Sequence, residues 1–310
     1  MAHSNKSKRG GKSAETVKAE STKPVTKAPA EKVADKPTAK AEEKQVVKPA
    51  PKEITKPSGN VFKSFFTKKY SGSENIESLF SSPKLIAALV AEVLGSFALV
   101  LVILTTSSSP IFVLFGTLAA ALLVYKISGA FINPVVTIGA LVTRRLSALR
   151  AVFYIIAQVL GAMLAYITLK TFIGGAPEAT STTYAATMYS MVAIPEGKMW
   201  YAFGIELIGA AIIALFFARA IQMKKSVFTF GAIFAGGLFA AVCFAMTASS
   251  YIQSGFALNP ALAIAMEGFT AVPENFWTNA LVYILAPIVG GIAGFIISDL
   301  ITRGADAQEA

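Results

Sequence analysis

Two stretches decide how this chain is read: Ser128–Val136, SGAFINPVV, and Ser254–Leu262, SGFALNPAL. Each carries a Ser-Gly pair, three apolar residues and then Asn-Pro. Asparagine is a preferred helix N-cap, and proline suits the first helical position because its missing N–H would be unpaired there anyway. Asn133-Pro134 and Asn259-Pro260 therefore each predict the start of a short helix, over 133–143 and 259–268. At about 1.5 Å per residue, such helices reach only about half of a ~30 Å hydrocarbon core. The asparagine oxygen accepts bonds from free N–H groups of its helix, which leaves the side-chain NH₂ as a donor. Irregular backbone at membrane depth survives only where it is buried in protein or lines a wet cavity. Two such starts brought together would join two amide donors and two positive helix ends at one point, suiting a neutral solute with oxygen lone pairs and opposing cations.

Working outward, each Asn-Pro belongs to one of two similar halves. The first opens with AEVLGSFALV, Glu92 three residues before Gly95; the second opens with IELIGAAIIA, Glu206 three residues before Gly209. Apolar runs long enough to span lie near 84–105, 111–128, 148–170, 200–220, 228–248 and 278–300. Three crossings per half is an odd number, so the halves insert with opposite orientation. Inverted repeats with interrupted helices mark a solute path near the bilayer midplane. The fold expected is an all-α membrane protein with six transmembrane helices and two half-membrane re-entrant helices. Its channel domain covers 84–300, with repeats over 84–171 and 200–300.

Composition agrees. The 310 residues are 54% hydrophobic and 15% charged, with mean hydropathy +0.59. Most of the 28 Lys and Arg residues fall before residue 83, so the net charge of +10 mainly describes a tail. Residues 1–60, rich in Lys, Ala, Pro and Glu, read as a disordered basic tail that could touch anionic lipid; no specific nucleic acid is expected. Residues 61–83, with VFKSFFTKKY, read as a juxtamembrane segment, and 301–310 as a short C-terminal tail. Arg144, Arg145, Arg150, Arg219, Lys224, Lys225 and Arg303 fall on one side if six spans alternate. Both termini are then cytoplasmic, in a multi-pass protein of the cell membrane.

The same residues narrow the chemistry. The one histidine, His3, lies in the tail, and the one cysteine, Cys243, cannot form an intramolecular disulfide. No nucleophile–base set, phosphate loop or metal cluster is visible, so neither an enzyme nor a cofactor is expected. Glu92 and Glu206 sit within apolar spans, where carboxylates are expensive. They could serve a proton relay, but no His or Asp sits nearby in either half to continue one. The reading preferred is structural: each accepts backbone N–H bonds from the irregular loop before a half-helix.

These motifs resemble those of the aquaporin and glycerol-facilitator family. SGAFINPVVTIGALVTRR is similar to its first signature and SGFALNPAL to its second, with further likeness in AEVLGSF, in YIIAQVLGA around Gln158, and in APIVGG at Pro287. The resemblance implies a passive channel for water or small uncharged solutes, one pore per subunit and a homotetramer. It also implies a selectivity filter. The family carries arginine after its second Asn-Pro-Ala, where this chain has Leu262. Phe256 is similar to the filter aromatic of glycerol facilitators. Family spacing gives Thr247 on the fifth helix, and Val113 or Phe115 on the second. That ring would be uncharged and largely apolar, favouring small neutral molecules that need few hydrogen bonds. A secondary transporter, or a non-conducting scaffold of the same fold, is the alternative.

Overall fold

The computed structural model describes residues 83–174, 192–223, 226–266 and 275–308. The basic tail, residues 61–82 of the juxtamembrane segment, and Lys224, Lys225, Glu267 and Glu274 lie outside the described residues. Six segments are long and apolar enough to cross a membrane. Five are single helices: α1 (Pro83–Thr105), α2 (Pro110–Ser128), α4 (Ala148–Gly174), α5 (Met199–Gln222) and α6 (Val227–Ile252). The sixth runs through α8 (Phe276–Ala280), a π-helical turn (Leu281–Leu285) and α9 (Ala286–Gln308). Between them lie two short helices, α3 (Pro134–Val142) and α7 (Pro260–Ala265). No strand occurs among the described residues. The helix α9 continues through residue 300 to Gln308, so the boundary expected there is not the end of an element.

Local chemistry explains the ends. Pro110 opens α2, and Gly129, at φ 93°, closes it by donating its N–H to the Tyr125 carbonyl. That left-handed cap satisfies a carbonyl the helix would leave orphaned. Ser226 caps α6, its hydroxyl accepting from Thr229 N–H at 3.1 Å.

The packing repeats itself between halves. Helix α1 packs against α2 and α4, as α5 packs against α6 and α9, while α2 against α6 joins the halves. The short helices cross over: α3 lies on α9 of the second half, and α7 on α4 of the first. The contact points match as well. A Cβ at Gly161 would run into the Val93 carbonyl, and one at Gly290 into the Leu207 carbonyl. Val93 and Leu207 each follow the buried glutamate of their own half, so the two crossings are equivalent.

Apolar residues such as Ile86, Val90 and Leu94, four apart on one stripe of α1, are exposed. A surface of that kind needs lipid or another subunit against it. At one end of the bundle Arg145 forms an ion pair with Asp299, which also accepts from Gln222 Nε2 at 2.9 Å. The Arg145 guanidinium lies 5.4 Å from the centre of the Phe295 ring. This cluster ties the segment just after α3 to the end of α5 and to α9.

Candidate functional site

The site is built from two loops whose backbone would not hold its shape alone. Ala130 (φ 54°) and Ile132 (φ 40°) before Asn133, and Leu258 (φ 53°) before Asn259, occupy the left-handed region. For a residue with a Cβ this costs about 1–3 kcal/mol, and it persists only where surroundings over-determine it.

Two buried carboxylates supply that constraint. Glu92 accepts from Phe131 N–H at 3.0 Å and Ile132 N–H at 2.7 Å. Glu206 accepts from Ala257 N–H at 2.5 Å and Leu258 N–H at 2.8 Å. In each half the carboxylate thus grips the two residues immediately before the asparagine. Gln158 adds a bond in the first half only, donating to Glu92 at 2.7 Å and to the Thr137 hydroxyl at 2.8 Å. The glycine three residues beyond each glutamate has a matching task. A Cβ on Gly95 would sit 2.5 Å from Ile132 Cγ2, and one on Gly209 would collide with the Leu258 side chain. The Glu-x-x-Gly spacing therefore pairs a clamp on the backbone of residue 132 or 258 with a seat for its side chain.

Held in this way, both asparagines have extended backbone, φ −154°, and cap their helices. Asn133 Oδ1 accepts from Val135 N–H at 2.9 Å, and Asn259 Oδ1 from Ala261 N–H at 3.0 Å. The amide of Asn133 donates across the repeat to the Leu258 carbonyl at 3.1 Å. The amide nitrogen of Asn259 is buried with no hydrogen-bond partner.

Asn133 and Asn259 line one chamber of about 20 Å³. A cavity needs about 10–15 Å³ on this measure to hold one water, so the chamber takes a single molecule of that size. Leu99 and Ile103 of α1, Leu238 and Val242 of α6, and Phe256 form its apolar wall; Ser108 adds a hydroxyl. A second, wider space of about 390 Å³ is lined by Ser107, Val192, Met246, Ser249, Ser250 and Gln253 among others. Phe256 lines both, so its ring stands at their junction.

The other residues named from family spacing are distributed differently. Leu262 and Val113 are buried in the apolar core and line neither space. Phe115 is 60% exposed, on the same stripe of α2 as the exposed Phe112 and Leu122, which turns it away from the asparagines. Thr247 is exposed, its hydroxyl donating to the Cys243 carbonyl at 2.9 Å, and it too lines neither space. Its neighbour Met246 takes the inward place, because Leu238, Val242, Met246, Ser249 and Gln253 share one face at helical spacing. Counting residues back from Asn259 names Thr247, one residue or about 100° of helix from that face. The 3.6-residue periodicity of α6 was the available signal. Ser108 carried no sequence signal, lying in an uncharged turn between two spans.

Residues 80–298 match the family model described as "Major intrinsic protein". Over 214 residues the chain is 32% identical to glycerol uptake facilitator protein-like 6 of Lactiplantibacillus plantarum, covering 66% of this chain and 92% of that protein. It is 29% identical over 187 residues to aquaporin TIP4-2 of Zea mays, covering 59% of this chain and 66% of the relative, so it spans just under two thirds of that protein's length. The solved aquaglyceroporin from Plasmodium falciparum superposes with a TM-score of 0.56 at 22% identity, over 69% of this chain and 96% of that one, a likeness of fold. With the family model covering both asparagine loops, five spanning segments and most of the sixth, the chain belongs to the major intrinsic protein family.

Proposed function

We propose that this protein is a passive channel for water and small uncharged solutes, whose narrow point lies between Asn133 and Asn259. The observation that carries the reading is the single-molecule chamber shared by the two caps, lined by a few polar residues among apolar ones. A neutral oxygen-bearing molecule exchanges part of its hydration for amide donors there. A cation meets donors where it needs acceptors, and loses hydration without compensation. A polyol with several hydroxyls finds too few partners against Leu99, Ile103 and Val242, so small molecules needing few hydrogen bonds pass best.

The aromatic Phe256 sets the width between the two spaces. In stopped-flow light scattering on reconstituted vesicles, the wild type is expected to pass water and urea faster than glycerol, at rates independent of any ion gradient. Phe256→Ala is expected to raise glycerol permeability several-fold, whereas Thr247→Val leaves the solute ranking unchanged. Equal solute profiles for wild type and Phe256→Ala would remove Phe256 from the filter.

The other function classes make different demands. A secondary transporter needs carboxylates free to couple ions at midplane, but Glu92 and Glu206 are each committed to two backbone N–H groups. Gradient-driven accumulation of solute in the same vesicles would favour it. A non-conducting scaffold would give no flux above empty vesicles. Cytoplasmic termini, a place in the cell membrane and tetrameric assembly complete the proposal. Support for the last is the amount of apolar helix surface left uncovered on a single chain.

A further inference from the structure

Ser108 stands in the turn between α1 and α2, a region of hydroxyl side chains running Thr105-Thr106-Ser107-Ser108-Ser109. Thr105 and Thr106 return their hydroxyls to their own helix, donating to the Leu101 and Val102 carbonyls at 2.7 Å each. Ser108 does not. It is 2% exposed, and its Oγ has no hydrogen-bond partner among the protein atoms. It lines the same 20 Å³ chamber as Asn259, also 2% exposed, whose Nδ2 is equally unpartnered. Buried hydroxyls and amides are costly to leave unpaired, so two beside one small cavity point to a visiting molecule that pairs with both.

The backbone carries the second observation. Ser107 (φ 50°) and Ser108 (φ 59°) are consecutive left-handed residues with side chains. The turn is pinned by Ser108 N–H to the Ile103 carbonyl at 2.9 Å and by Ser109 N–H to the Thr106 carbonyl at 2.9 Å. Glycine would adopt that conformation at less cost. A serine there places a hydroxyl in the passage at the expense of strain.

We propose that Ser108 is a solute-contacting residue, its hydroxyl and the Asn259 amide forming a one-oxygen binding site in the chamber. With its Oδ1 taken by the helix cap, Asn259 offers only its Nδ2 donor, while Ser108 can donate or accept. The site therefore takes a water, a single alcohol hydroxyl or a urea carbonyl, each accepting from Asn259; water and alcohols can in addition donate to Ser108. This inference rests on the channel reading above.

Glycine at 108 separates a contact role from a structural one. Ser108→Gly relieves backbone strain, so a merely structural serine predicts a protein at least as stable and conducting as before. A solute contact predicts unchanged or higher thermal stability in detergent together with water permeability about five-fold lower, equivalent to one net hydrogen bond. Ser108→Ala should lose flux similarly, and Ser108→Thr, which keeps the hydroxyl, should recover most of it. Water flux in Ser108→Gly and Ser108→Ala equal to or above wild type would overturn the proposal while leaving the channel intact. No flux in wild-type vesicles would instead bring down the channel reading and this site with it.

Discussion

Glu206→Ala is expected to abolish conduction and to lower the melting temperature in detergent by more than any surface substitution. The carboxylate accepts from both the Ala257 and the Leu258 N–H, and these donors lie in a buried loop. Leaving two buried donors unpaired costs about 2–6 kcal/mol. The strain at Leu258 adds to this, because the bond to its N–H is what holds φ at 53°. Once that residue relaxes, the Asn259 cap and its free amide move with it, so flux fails even in protein that remains folded. Glu206→Gln keeps the shape and one accepting oxygen, and should fall between the two. Glu92→Ala should behave at least as severely, since its loss also removes one of the bonds made by the Gln158 amide. Thermal unfolding and vesicle flux for the three variants check this; an alanine variant at 206 with wild-type conduction would show that the loop is held by something else.

The second large effect concerns the seats opposite those clamps. Gly95→Ala places a methyl 2.5 Å from Ile132 Cγ2, so Ile132 or the backbone of α1 must shift. Overpacking of this kind costs about 1–3 kcal/mol. The displaced residue is also the one before Asn133, so a purely apolar packing change on α1 should reduce water flux. The cause can be isolated. In Gly95→Ala combined with Ile132→Ala the obstructing methyl is gone, and flux and stability should return towards those of Ile132→Ala alone. Gly209→Ala with Leu258→Ala is the matching pair in the second half. Measured stabilities that simply add in the double variants would contradict this pairing.

The degree to which this architecture could be read from residues alone varied with the kind of physics involved. The six spans and the starts of α3 and α7 rest on local properties: apolar length for the spans, and the capping chemistry of Asn-Pro for the short helices. Such properties survive in any context. The Glu-x-x-Gly spacing was visible in both halves, but its reason was not. The partners of Glu92 and Gly95 lie about forty residues away, at Phe131 and Ile132. Filter residues proved least legible. Val113, Phe115, Thr247 and Leu262 follow from linear spacing, whereas the face a helix residue presents depends on rotation about the axis, and one residue of phase exchanges Thr247 for Met246. Ser108 was beyond reach for a different reason. Its orientation depends on a left-handed turn of non-glycine residues, which no local preference favours.

The central claim is that the two asparagine loops jointly bound one narrow passage, and a thiol placed in its wall tests this most directly. Ala257 lines the chamber and presents its N–H to Glu206, which a side-chain change leaves in place. In a Cys243→Ser background, Ala257→Cys protein in vesicles should conduct water, lose that conduction when mercuric ion binds the new thiol, and regain it with excess free thiol; the Cys243→Ser protein alone should be unaffected. A thiol at 257 that never reacts, or one that reacts fully by mass spectrometry while water flow continues, would contradict the account.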